Sequence, residues 1–451
     1  MHAGLRILPA LVLVLLSAAV PAAQATWSAP QTLVADGRAA NVAAAGNRHG
    51  SQAFVWKVTS ERLRQMDGRT GFASFVRARV RLPDGRLGGI ETISSTNELV
   101  ANPKVGVDEL GNVTAVWAQA GRHLTIMAAL RPHGRRFGRP FEIGRSQHFS
   151  DSHPALAVGR FGDAVVAWNH GSTMQVAQRG TSICRAGRAR GCFRTPVRLR
   201  AGADQTVAIG PLGSAYVVWA AGVRIGDDFH TRLRMASFRR DGRRLGRDHA
   251  ISSAADGDAS EPALAVRRDG SAVIGWRASL PAGGEQNNSA AILAVGSAPE
   301  ALLGPVMVVS PGLGDDPAIV VDPQGEAILA WREFDTTPGN PDGPQIAVAT
   351  QPVAASPFSA PVRITPPGAS CGSPSLAVDA AGVAYLAYSA VAGNAGNPEG
   401  VSHVRPPAGS FGPPVALPAN FTGVFVFSAG RKISAVSGGS GGRTLVNDWR
   451  P

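Results

Sequence analysis

A glycine followed six residues later by an aromatic recurs seven times in this chain, at intervals of 51 to 61 residues. The pairs are Gly50/Trp56, Gly111/Trp117, Gly162/Trp168, Gly213/Trp219, Gly270/Trp276, Gly325/Trp331 and Gly382/Tyr388. Five units also carry a proline fourteen residues before the aromatic: Pro103, Pro154, Pro262, Pro317 and Pro374. A period of this length, with several short apolar runs per copy, is the signature of an all-β ring of small sheets, a β-propeller. Such a unit cannot bury its apolar faces alone, so successive copies must stack. The repeat therefore overrides the length prior and reads residues 26–451 as a single propeller domain.

Residues 154–200 show the strand order. PALAV (154–158) reads as inner strand A, and the turn RFGD (160–163) places Gly162 where a positive φ is needed. AVVAW (164–168) is apolar without alternation, as expected of a strand B buried on both faces. MQVAQ (174–178) is strand C, and FRTPVRLR (193–200) is outer strand D. The proline opening strand A is tolerated because an innermost strand is a sheet edge, where a missing N–H blocks unwanted pairing. The repeated tryptophan reads as packing between blades.

Seven A–B–C units start near residues 42, 103, 154, 205, 262, 317 and 374. Strand D occurs eight times, because WSAPQTLV (27–34) is a D strand with nothing before it. Residues 422–449 form a degenerate eighth A–B–C unit, with Gly430 at the glycine position, Val436 at the aromatic position and RTLVNDW (443–449) as strand C. No D strand follows it. The count predicts eight four-stranded blades closed by an N-terminal strand exchange; the alternative is seven blades with a frayed tail.

Residues 1–25 read as a signal peptide: His2 and Arg6, an apolar stretch from Ile7 to about Val20, and Ala23-Gln24-Ala25 before Thr26. Export to the cell envelope or beyond is the expectation, and no later segment is apolar enough for a membrane span. In such a compartment Cys184 and Cys192, flanking the loop CRAGRARGC, are expected to form a disulfide that leaves Cys371 free. The net charge of +12 comes almost entirely from arginine, the only lysines being Lys57, Lys104 and Lys432. The arginine excess and the Ala/Gly-rich composition associate the chain with a bacterial source.

Loops, not the repeat, must carry function. D–A and B–C connections emerge on one face, and A–B and C–D turns on the other. The B–C connections vary most in length: 57–73, 220–231, 277–289, 332–344 and 389–399. The D–A connections carry Asp151, His153, Asp204, Asp256, Asp258, Glu261, Asp315 and Asp316, a carboxylate-rich set expected around the channel mouth. It suits sugar hydroxyls or Ca²⁺, although no dense Asp-rich calcium loop is present and the cofactor stays unknown. The alternative is that these residues cap their own turns. On the other face the C–D hairpins of the second to fourth blades are basic: Arg131, Arg135, Arg136 and Arg139; Arg185, Arg188 and Arg190; Arg239, Arg240, Arg243 and Arg244. They form a candidate patch for an anionic polymer, the alternative being solvated turn residues. Interleaved aromatics that would stack bases are missing, which disfavours nucleic acid.

No phosphate loop, metalloprotease helix or nucleophile elbow is present. Glu333 and Asp335 are a carboxylate pair of unknown separation. The repeat resembles that of secreted sialidase-like propellers, but their box S-x-D-x-G-x-T-W is absent: VDELGNVTAVW (107–117) separates Gly and Trp too far. Quinoprotein dehydrogenases are similar in having eight blades and one Trp per blade, again with a different spacing. Both resemblances imply architecture, so no functional residue is carried over. The expectation is a monomeric, secreted, non-enzymatic propeller binding a glycan, envelope polymer or protein. The alternative is a carbohydrate-active hydrolase or lyase using the same carboxylates.

Overall fold

A computed structural model describes residues 26–450 except 36, 65–69, 95–97, 122, 148–152, 172, 181–191, 226–227, 281–288, 297–303, 311, 335–342, 354–355, 366–367, 393–397 and 440–442. The signal-peptide expectation and Cys184 lie outside those residues. The described chain is all strand apart from one 3₁₀ turn, Ala254–Asp256. Six sheets are four-stranded, antiparallel and built from consecutive strands. Their inner strands are Ala39–Gly46, Leu99–Val107, Ala155–Val158, Ala203–Ile209, Asp258–Val266 and Leu313–Val321. These define units 1 to 6.

The seventh sheet has nine strands and holds two units. Its strand Val415–Ala429 pairs through Val415 and Ala416 with Glu399–Arg405, as an outer strand. The same strand pairs through Val424 to Ala429 with Lys432–Gly439, as an inner strand. Unit 7 therefore runs into unit 8 without a break. Counted by sheets, the ring has seven members, the number of the alternative; counted by A-to-D units, it has eight. Inner strands contact their successors all round, and Val415–Ala429 returns to Ala39–Gly46.

The closure is made by the N-terminus. Thr26–Trp27 and Gln31–Val34 both pair antiparallel with Thr444–Arg450, supplying the outer strand that unit 8 lacks. Trp27 packs edge-on against Trp449 at 5.3 Å, and its Nε1 donates to Ser402 Oγ of unit 7 at 2.8 Å. On the other side of unit 8, Phe54 of unit 1 meets Phe427 edge-on at 5.8 Å. Leu33, Trp56, Val436 and Val446 are buried together in the same seam.

The tryptophans occupy the role expected of them. Trp56, Trp117, Trp168, Trp219, Trp276, Trp331 and Tyr388 are all fully buried. The eight apolar clusters each draw side chains from two neighbouring units, so the core consists of seams between blades rather than of blade interiors. The turn glycines hold the positive φ that their role requires, from 69° at Gly430 to 97° at Gly325.

Two expectations need correction. Most inner strands start three or four residues earlier than the sequence reading placed them, so Asp204, Asp258, Glu261, Asp315 and Asp316 belong to strand A and not to D–A loops. The span 220–231 is mostly ladder, because Ala215–Ile225 pairs with Asp228–Phe238 as far as Ile225 and Asp228. Backbone hydrogen bonding continued past the point where the apolar pattern stopped.

Polar clamps reinforce the closing seam. Arg81 of unit 1 donates through Nη1 to Asp448 Oδ1 of unit 8 at 2.6 Å, and Ser434 Oγ donates to the same oxygen at 2.7 Å. Gln52 Nε2 donates to Ser434 Oγ at 2.8 Å. Burial opposes the charge on Asp448, but hydrogen bonds from Arg81 and Ser434 and the Arg81 charge outweigh it, leaving the pKa below its ordinary 3.8. A carboxylate depressed in the folded state stabilises the fold above its unfolded pKa, and the gain disappears as pH falls through the folded value.

Two outcomes test the closure. Trp27→Ala should cost about 3–5 kcal/mol, and removal of residues 27–34 should cost more; a urea midpoint equal to that of the intact chain would exclude closure by the N-terminal strand. Between pH 7 and 3 the urea midpoint should drop once pH falls below about 4, and Asp448→Asn should flatten that part of the profile while lowering stability at neutral pH.

Candidate functional site at the channel mouth

In units 1 to 6 the inner strand must pass a tryptophan on the strand beside it. In unit 1, Ala40 pairs with Lys57 and Ala43 with Val55, so Asn41 and Val42 together face Trp56. The same two-against-one bulge places Asn102 and Pro103 opposite Trp117, and Asp204 and Gln205 opposite Trp219. Glu261 and Pro262 face Trp276, and Asp316 and Pro317 face Trp331. The extra residue lengthens the inner strand locally. The repeated proline sits where the ladder is interrupted and its missing N–H costs nothing. In units 2, 5 and 6 this replaces the expectation that proline opens the strand, whereas Pro154 stands directly before the inner strand Ala155–Val158, as expected.

The residue before each bulge proline or its equivalent takes a left-handed backbone. The φ values are 52° for Asn41, 50° for Asn102, 52° for Asp204, 53° for Glu261 and 49° for Asp316. Asn and Asp tolerate this region better than other side chains; Glu does not share that advantage. His153 and Ser373 hold the same sequence position, fifteen residues before the aromatic, in units 3 and 7. In units 1 to 7 one polar residue per unit thus stands at one level of the ring.

Neighbouring members of this level touch. Asn41 Nδ2 donates to Asn102 Oδ1 at 3.3 Å. The Asp316 N–H donates to Glu261 Oε2 at 2.8 Å, and Ser373 Oγ donates to Asp316 Oδ2 at 2.6 Å. Gln205 Nε2 donates to the His153 carbonyl.

The ring divides into two sectors of different character. Across units 5 to 7 the expected carboxylates are matched by arginines. Arg332 holds Asp315 with two parallel bonds of 2.7 Å and lies 3.0 Å from Asp316. Arg277 lies 3.6 Å from Glu261. Burial works against the Arg332 charge, but Asp315, Asp316 and Glu261 together raise its pKa. Asp258 faces His230 and Arg232, each at 3.1 Å. Burial opposes its charge too, yet the Thr231 N–H, His230 and Arg232 keep its pKa low. Asp256 accepts from the Ser253 N–H at 2.6 Å and serves as a turn cap. Among the described residues no group of three or more His, Cys, Asp or Glu is arranged to hold a metal ion.

Across units 2 to 4 the mouth opens into a cavity of about 740 Å³ lined by Asn102, Lys104, His153, Asn169, Asp204, Gln205 and Thr206 beside small apolar residues. Asp204 and His153 are exposed, and the Asp204 carboxylate has no hydrogen bond or ion pair among the described residues. Lys104 is open to solvent yet closely surrounded by protein, and the loss of bulk hydration lowers its ammonium pKa. Asn169 Oδ1 has no partner among the described residues. The hairpin of unit 4 carries Phe229, 75% exposed. Asp151 lies outside the described residues.

The sequence reading missed Lys104, Asn102, Asn169 and Phe229. Asn102 had a signal, since it precedes a repeat proline; Lys104 had only its rarity. On the opposite face the basic hairpins divide as well. Arg135, Arg136, Arg240 and Arg243 are exposed as expected. Arg131 instead reaches back to Glu91 of unit 1 at 3.8 Å. Arg244 is paired with Asp248, which Arg234 also holds. These two arginines lie at or inside strand ends, where packing covers the stem and a carboxylate meets the head. Arg185, Arg188 and Arg190 lie outside the described residues. The disulfide expectation rests on Cys184, also outside them; Cys371 is free and buried.

No family model and no curated protein matches this chain. Among solved structures it is similar to a lectin from Burkholderia pseudomallei, at 13% identity and a TM-score of 0.49, over 84% of this chain and 99% of the lectin. It is also similar to an ulvan lyase, a polysaccharide lyase, at 10% identity and a TM-score of 0.45, over 92% and 95% of the two chains. A third is the alpha-L-arabinanase of Penicillium chrysogenum complexed with arabinobiose, at 12% identity and a TM-score of 0.36, over 67% and 94%.

The left-handed bulge can be tested directly at Asp204, whose side chain has no partner among the described residues. Asp204→Gly should leave stability unchanged or raise it by up to about 1 kcal/mol, whereas Asp204→Val should lower it by about 1–2 kcal/mol. Equal urea midpoints for the two variants would remove the strained bulge from the account.

Proposed function

We propose that this protein binds a glycan in the cavity of units 2 to 4 and does not turn it over. The observation that carries the reading is the cavity lining: a carboxylate at Asp204 with no partner among the described residues, an ammonium at Lys104, and the amides and ring of Asn102, Asn169, Gln205 and His153. Donors and acceptors of both charge signs suit a ligand rich in hydroxyls, and the Asn169 Oδ1 acceptor supports the same reading. Phe229 offers an apolar face on which a sugar ring can pack.

The carboxylates expected to act as acid and base are the ones paired with arginine. Asp258 is held ionised, and Asp315 is clamped by Arg332. A general acid for glycoside cleavage needs the opposite, a carboxyl with a raised pKa. One observation favours the alternative of a lyase: Lys104, with its lowered pKa, and His153 share the cavity and could serve proton transfer beside a uronate. Export to the cell envelope remains part of the proposal, resting on residues 1–25.

A glycan array followed by titration calorimetry tests binding, run beside assays for reducing ends and unsaturated products. The expected outcome is saturable binding without product, weakened roughly tenfold or more (about 1.4 kcal/mol) by Lys104→Ala or Asp204→Asn. Product formation lost in His153→Ala or Lys104→Ala would replace the binding reading with the enzymatic one; binding unaffected by both cavity variants would move the site elsewhere.

A further inference from the structure

The face opposite the cavity carries a second pattern that repeats with the units. Each A–B turn ends in a positive-φ glycine, and the residue before that glycine stands at the tip. In units 2, 3 and 4 the tip residues are Leu110, Phe161 and Leu212, with 73%, 42% and 69% of their surface exposed. In units 1, 5, 6 and 7 the same position holds His49, Asp269, Gln324 and Ala381. Three large apolar side chains are therefore exposed side by side, only where the neighbouring hairpins are basic.

Backbone and side-chain contacts bring these tips to one level. The Glu109 N–H donates to the Arg160 carbonyl at 3.0 Å, joining the turns of units 2 and 3. Phe161 lies between the guanidinium groups of Arg160 and Arg240, at 4.3 and 4.2 Å from its ring centre. Arg135, Arg136 and Arg239 are exposed around the tips and have no carboxylate partner among the described residues. Nearby acids do not cancel this charge. Glu109 is engaged by Arg48 at 2.7 Å and His49 at 3.3 Å, Asp108 and Asp163 are buried, and Asp241 caps its own turn.

We propose that this face docks on an anionic phospholipid bilayer. Leu110, Phe161 and Leu212 enter the interfacial layer while the surrounding arginines contact headgroup phosphates. Charge alone would suit any polyanion. The apolar tips decide for lipid, because a hydrated polymer gives an exposed leucine nothing to bury against, whereas the acyl boundary does. Docking this way turns the cavity outward, and the two faces act independently.

Vesicle co-sedimentation tests the proposal, using phosphatidylcholine alone and phosphatidylcholine mixed with phosphatidylglycerol. Binding should require the anionic lipid and weaken with salt. Replacing Arg135, Arg136 and Arg239 by alanine should lower affinity roughly fivefold per arginine. A triple serine variant at Leu110, Phe161 and Leu212 keeps the charge and should still lose at least about tenfold. Unchanged thermal melts identify the variants as folded. No binding to anionic vesicles overturns the proposal. So does equal vesicle binding by the serine variant and the parent, or soluble polyphosphate bound more tightly than vesicles by both.

Discussion

No blade of this protein can be stable by itself, because each presents two apolar faces and only its neighbours can cover them. Eight seams make up the core, and in seven of them the aromatic at the end of a second strand fills the gap. A ring built this way has no terminal cap, unlike an open array whose end repeats need a polar outer face. Closure is therefore obligatory. It is achieved by bringing residues 26–34 to the last unit and by the partly buried pair of Arg81 and Asp448. The unit without an aromatic on its second strand is the one held by the N-terminal strands: Val436 packs in the seam with unit 1 beside Trp56, and the seam between units 7 and 8 is filled by Trp27 and Trp449.

The same packing generates the channel mouth. A tryptophan beside an inner strand is accommodated by a bulge, the bulge demands one left-handed residue, and that residue is most readily Asn or Asp. In units 1, 2, 4, 5 and 6 the polar residue at the mouth is thus a by-product of burying the neighbouring tryptophan. Its specialisation comes from what stands around it. Where Arg277 and Arg332 follow the tryptophan, the ring residues are tied into ion pairs. Where Ala118, Asn169 and Ala220 follow it, the space stays open and becomes the cavity. The opposite face is free of this constraint, since its turns need only a glycine, and units 2 to 4 use the freedom to expose arginine beside leucine and phenylalanine.

Much of the fold was legible because its determinants are periodic. Gly430 and Val436 identified a degenerate unit, and WSAPQTLV identified the strand that completes it; both stand where that reading placed them. Strand starts were misplaced because a bulge interrupts the hydrophobic pattern without interrupting the ladder. The fusion of the last two units was hidden for a related reason: no turn residue is needed where one strand simply continues from outer to inner position. Asp204 and His153, singled out from the sequence, line the cavity, while Lys104 and Asn169 were not singled out, because each looks in sequence like any polar residue at a sheet edge.

What the linear chain determines by itself is the kind of object it makes: short strands, buried aromatics at fixed intervals, and a terminal strand without a partner, all consequences of local periodicity and of apolar surface that must be covered. What the tertiary structure decides is which charges remain available. Asp315 and Asp204 occupy neighbouring positions of the same repeat pattern, yet one is clamped between two guanidinium nitrogens and the other stands open in a cavity. That difference depends on side chains brought alongside from the adjacent strand, and Coulomb energy follows distance in space rather than in sequence.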